Sequence, residues 1–132
     1  MNKIETWADE LGLFDDVMDQ YTYLIDLAKK PTNLPPELRT DDRLVSGCIS
    51  QIWIDVGAVD NTTKIYYDSD AMITKGVTHL ICDCFDNLPV DEAKKIDKSE
   101  FEVLGIEGIL SANRRNGLAS LIDTLQNKVA AL

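Results

Sequence analysis

The chain has 132 residues, 45% of them hydrophobic and 27% charged, the balance of one globular domain that buries a core without disulfide or metal staples. Its 13 Lys and Arg against 23 Asp and Glu leave a net charge of −10, which excludes a general nucleic-acid binder and disfavours adsorption to anionic membranes. No stretch approaches the roughly 18 consecutive apolar residues of a membrane span, and the first residues carry acids where a signal peptide needs a basic start, so a cytoplasmic location is expected.

Ile4, Trp7 and Leu11 share one face of a first short helix, which Gly12 breaks. Phe14, Val17, Met18, Tyr21, Leu24, Ile25 and Ala28 then recur at helical spacing and predict a second helix with all seven on one face. Asp15, Asp16 and Asp19 fall in its expected first turns, where the macrodipole favours acids, and Lys29 and Lys30 close it. Residues 1–28 hold Glu5, Asp9, Glu10, Asp15, Asp16, Asp19 and Asp26 against Lys3 alone. A solvated acidic face is the plain reading of that surplus, and a steering field for a basic partner the sharper one.

Pro31, Pro35 and Pro36 predict an irregular connection over 31–44. Gln51 to Val56 alternates, with Ile52, Ile54 and Val56 on one side and Gln51, Trp53 and Asp55 on the other. A turn at 59–62 and a second strand over Lys64 to Asp68 complete an antiparallel hairpin. Asp68, Ser69 and Asp70 offer cap acceptors to a helix that buries Ile73, Val77, Leu80, Ile81 and Cys84, and Pro89 stops its continuation. Residues 90–104 read as one or two short helices. Ser111 to Asn113 cap a last helix with the stripe Leu118, Leu121, Ile122, Leu125 and Val129. The order implies an α+β fold, a small antiparallel sheet covered on one face by helices.

Of three cysteines, Cys48 follows Gly47 on the turn that enters the first strand, where a thiolate can reach a partner. From pattern alone an incidental loop cysteine and a reactive one both remain open. Cys82 and Cys84 lie two apart on a helix and point about 200° apart, so they cannot share a metal there. Cys84 falls on the apolar stripe and Cys82 off it, so Cys82 is expected to be partly exposed. The single His79 has no ligand constellation around it and suggests a structural or surface role. No phosphate loop or dinucleotide motif is present. Arg114 and Arg115 at a helix start fit the macrodipole poorly, which suits either solvation or a carboxylate on a partner.

Arg39, the run Leu44-Val45-Ser46-Gly47-Cys48-Ile49-Ser50-Gln51-Ile52-Trp53, the run Asp68-Ser69-Asp70-Ala71 with Ile73, Lys75 and Gly76, and Ser111 to Leu118 together resemble the SufE family. The resemblance spans nearly the whole chain and implies one SufE-like domain over 1–132 with the SufE/IscU-like fold. It implies a sulfur acceptor in place of an enzyme: Cys48 would take sulfane sulfur from a SufS-type cysteine desulfurase, stimulate it, and pass the sulfur to a SufBCD-type iron–sulfur scaffold. It implies no cofactor on this chain, since pyridoxal phosphate belongs to the desulfurase. By the same analogy Gln51 and Arg114 shape the cysteine environment or dock the desulfurase, and Gly47 and Asp70 hold the loop. Leu44, Ile49 and Ile52 are candidates to line an apolar hollow that shelters the thiol. The alternatives are a CsdE-like paralogue serving another desulfurase, an IscU-type scaffold, which needs about three clustered cysteines, and a non-catalytic interaction module. Because the surplus acid is remote from Cys48 in sequence, the acceptor loop is expected to meet its partner through mixed-charge neighbours.

Overall fold

The computed structural model describes residues 2–47 and 50–132; Met1, Cys48 and Ile49 lie outside the described residues. Five α-helices, α1 (Lys3–Leu11), α2 (Val17–Leu27), α3 (Met72–Phe85), α4 (Val90–Lys94) and α5 (Ala112–Ala130), surround one hairpin of β1 (Ile52–Val59) and β2 (Thr62–Ser69) among the described residues. The architecture is the expected mixed α+β arrangement, an antiparallel two-stranded sheet packed against helices. The strands pair from Ile52 opposite Ser69 to Val59 opposite Thr62. Asp60 and Asn61 both take positive φ, 51° and 61°, which gives the two-residue turn whose twist suits adjoining strands. Both strands run longer than the alternation predicts because the tight turn lets pairing continue to its base.

Ile52 and Ile54 of β1, and Thr63, Ile65 and Tyr67 of β2, are buried. The far edge of β2 is closed by side chains. Asn33 donates to the Ile65 carbonyl at 2.9 Å and accepts from the Tyr67 N–H at 3.0 Å, while Asp86 accepts from the Ile65 N–H at 2.8 Å and the Thr32 hydroxyl donates to the Tyr67 carbonyl. The irregular 31–44 connection thus completes the sheet without forming a strand. Thr63, fully buried, donates from Oγ1 to the Phe85 carbonyl at 2.6 Å and fastens the hairpin to the end of α3.

α3 is the central helix, packed on α2, β2 and α5. That position corrects the reading of Cys82. It lies off the main stripe, yet it is buried, as is Thr78, because neighbours cover α3 on most sides. His79 is half-buried; its Nδ1 and the Tyr67 hydroxyl share a hydrogen bond of 2.5 Å, and burial, with help from Lys30, lowers its pKa. This is the structural role expected of it. α3 also ends at Phe85, ahead of Pro89, with Asn87 at φ 60° in the turn beyond.

Three further expectations need correction. α2 starts at Val17, so Asp15 precedes the helix and Asp16 is its cap, accepting from the Met18 N–H at 2.8 Å. The apolar stripe of α2 is buried only from its middle onward; Val17 and Met18 are exposed, because no element covers the first turn. α3 has Ala71 as its N-cap residue, with no side-chain cap, so Asp68, Ser69 and Asp70 do other work. Ser111 caps α5 as expected, accepting from the Arg114 N–H at 3.4 Å.

Gly76 sets the spacing of α2 and α3. A Cβ there would lie 1.8 Å from the Leu24 carbonyl oxygen, so only hydrogen fits and the two backbones touch. Gly76→Ala must force the helices apart and is expected to cost about 3 kcal/mol, the upper part of the usual overpacking range; the shift of the urea midpoint at unchanged m-value measures it.

Candidate functional site

The turn that begins at Ser46 and Gly47 is closed at its base by antiparallel contacts. Leu44 bridges Trp53, and the Val45 N–H donates to the Ile52 carbonyl at 2.9 Å, so chain enters and leaves side by side. Gly47 has φ +84°, a conformation that favours glycine, and a Cβ on it would meet Ser120 Oγ of α5 at 2.9 Å. On the exit side, Asp70 Oδ1 accepts from the Gln51 N–H at 3.0 Å, the Asp70 N–H donates to the Gln51 carbonyl at 3.3 Å, and the Ser69 hydroxyl donates to that carbonyl at 2.8 Å. Gln51 is therefore clamped by its backbone while its side chain stays exposed.

The clamp rests on Asp68, whose side chain is 3% exposed. Its Oδ2 pairs with Arg39, its Oδ1 lies 3.6 Å from Lys75 Nζ, and Oδ1 also accepts from the Ser69 N–H at 2.8 Å. The Arg39 guanidinium in turn sits 5.7 Å over the Trp53 ring. This is why Asp68 and Ser69 do not cap α3: a buried carboxylate needs its charge compensated, and two cations from separate segments supply that.

Beside the turn lies an apolar hollow of about 290 Å³. Ile52, Val77, Leu110, Leu118 and Leu121 form its walls, and Ser50, Thr74, Ser111 and Arg114 lie at its polar margin. Of the residues expected to line such a hollow, Ile52 does; Leu44 instead bridges Trp53, and Ile49 lies outside the described residues. Arg114 joins the site through this hollow and reaches the Tyr21 hydroxyl of α2 with Nη1 at 3.5 Å. Cys48 also lies outside the described residues. The described residues that flank 48–49 are Gly47, which rests on α5, and Ser50, which borders the hollow.

The structure brings Gln51 and Asp70 into direct contact and places Arg114 and Ser50 on one hollow. Sequence reasoning did not find Ser120, the α5 residue under Gly47; the small pair Ala119-Ser120 inside an apolar stripe was the available signal. It named Arg39 and Lys75 without joining them to Asp68. Among the described residues no group of three or more His, Cys, Asp or Glu side chains is placed to hold a metal. No helix among them is long and apolar enough to cross a membrane.

Fold and site define a class: a small α+β protein that presents a backbone-clamped turn beside an apolar hollow. A model of SufE, the Fe-S metabolism associated domain, matches residues 5–129. The chain is 31% identical to an uncharacterized SufE-like protein of Rhizobium etli over 97% of this chain and 90% of that one. It is 29% identical to a SufE-like protein of Rhizobium meliloti over 97% and 95%. With SufE-like protein 1, chloroplastic/mitochondrial, of Arabidopsis thaliana it shares 31% over 91% of this chain and 33% of the plant protein. A solution structure of a hypothetical protein from Thermus thermophilus has the same fold, with a TM-score of 0.81 at 16% identity over 99% of this chain and 97% of that one. The chain belongs to the SufE family, which points to Fe-S metabolism and sulfur transfer.

Cys82 and Cys84 are buried, and burial, aided by nearby acids, raises both thiol pKa values, that of Cys84 to about 12. Both remain protonated through the neutral and mildly alkaline range. They are expected to resist iodoacetamide at pH 8 in the folded protein and to react only after denaturation, as read by intact mass. The unfolded chain releases these protons near pH 9.0 and the folded chain does not, so their contribution to stability falls as pH rises above that value. Asp68→Asn leaves Arg39 and Lys75 facing a neutral amide. With Arg39 partly in water the loss is expected below that of a fully buried pair, about 2 kcal/mol, measured by chemical denaturation.

Proposed function

We propose that the chain is a sulfur acceptor in which Cys48 receives sulfane sulfur from a SufS-type cysteine desulfurase and passes it to a SufBCD-type scaffold. The Cys48 thiolate attacks the terminal sulfur of the donor's cysteine persulfide. One S–S bond forms at Cys48 as the donor's S–S bond breaks, and the donor cysteine leaves as a thiolate, with no net oxidation. The thiol proton passes to solvent. The reaction needs one reachable thiol and no metal, and the desulfurase supplies the pyridoxal phosphate.

The observation that carries this reading is the clamped turn beside the apolar hollow. Gly47, Gln51 and Asp70 fix its two stems, and the adjoining hollow offers a persulfide shelter from reductants and oxidants. In this reading Arg114 orients the donor at the rim of the hollow. The raised pKa values of Cys82 and Cys84 remove them as competing nucleophiles.

Incubation with the desulfurase and cysteine is expected to add the mass of one sulfur atom, about 32 Da, to the wild-type chain, reversibly with a thiol reductant and not in Cys48→Ala. Absence of that gain while the desulfurase turns over rejects the reading; a gain mapped to Cys82 rejects the site.

A further inference from the structure

The loop between α1 and α2 and the first turn of α2 expose apolar side chains that the sulfur chemistry leaves unused. Leu13 is 75% exposed, Val17 53% and Met18 66%, three large apolar side chains within six residues. Asp9, Glu10, Asp15, Asp16 and Asp19 border them in the chain. Among the described residues, none of these five carboxylates takes part in an ion pair with Lys or Arg. An acidic face alone suits solubility; exposed apolar side chains at its centre do not, since water contact with them is unfavourable.

The cluster also adjoins the candidate site. Tyr21 is one turn beyond Val17 on α2, and its hydroxyl meets Arg114, which lines the hollow. The helix that carries Val17, Met18 and Asp19 is thus joined to the hollow by one side-chain contact. A protein interface of ordinary size covers about 800 Å² on each partner, enough for a partner seated over the hollow to reach the cluster.

We propose that Leu13, Val17 and Met18 with their acidic border are a docking surface for a protein face of complementary design, an apolar centre rimmed by Lys and Arg. Resting on the reading above, its occupant is the sulfur donor itself. The carboxylates speed encounter, the apolar centre slows release, and Cys48 does the chemistry.

The test uses the full chain and the purified cysteine desulfurase from the same cell, with association and dissociation followed at about 50 and about 300 mM salt. Asp15→Lys with Asp19→Lys is expected to slow association about tenfold at low salt and to abolish most of its salt dependence. Val17→Ser with Met18→Ser is expected to speed dissociation several-fold. All four positions are at the surface, and an unchanged melting curve confirms folding. At saturating desulfurase both variants are expected to load Cys48 as fully as wild type. Wild-type kinetics in both variants overturn the proposal, as does a wild-type chain that fails to bind. Self-association of wild type that Met18→Ser abolishes overturns it too, naming a second copy as occupant. Impaired docking by the variants with no sulfur on wild-type Cys48 supports the surface and rejects the acceptor reading alone.

Discussion

The buried carboxylate of Asp68 is the constraint on which the arrangement around the cysteine turn depends. A charge taken out of water is tolerated only when opposite charge and hydrogen bonds replace the lost hydration. Arg39 supplies the first from the proline-rich connection, Lys75 from α3, and the Ser69 N–H adds a hydrogen bond. The proline-rich connection and the first turn of α3 therefore converge on one side chain at the end of β2. With that end fixed, Ser69 and Asp70 are presented to the backbone of Gln51, and the exit of the turn is fixed in its turn. Gly47 fixes the entry through its left-handed backbone and its contact with α5. The turn is thus held at both stems.

Much of this was legible in the sequence where local physics decides. The alternation of Ile52, Trp53 and Ile54, the turn at Asp60 and Asn61, the Ser111 cap and the stripe of α5 follow from the period and from turn and cap chemistry. The misreadings share a cause. Asp68 and its neighbours have the composition of a helix cap, but compensation of a buried charge by distant cations outweighs a local bond. Cys82 has the phase of an exposed residue, but helix phase cannot report that a helix is enclosed on most sides. Val17 and Met18 have the phase of core residues on an end of helix that nothing covers. The touching backbones at Gly76 and the Ser120 contact of Gly47 are long-range proximities that no local pattern encodes.

Burial keeps two of the three cysteines unreactive. Cys82 and Cys84 sit on the enclosed central helix, where the thiolate form is disfavoured. Charge is also unevenly spread over the chain. The acids of the first two helices gather beside exposed apolar side chains, whereas Arg39 and Lys75 are committed to Asp68.

The side-chain closure of β2 has a consequence for how the molecule can be recognised. A two-stranded sheet with a free edge is an invitation to any extended peptide, because backbone groups bind one another with little regard to sequence. Here Asn33, Thr32 and Asp86 occupy the donors and acceptors of Ile65 and Tyr67 along that edge. Strand addition along this stretch is blocked, and with it one indiscriminate mode of association and one route to fibrous aggregates. Recognition along this edge is left to side chains, so partner choice there can be retuned by substitution without disturbing the scaffold.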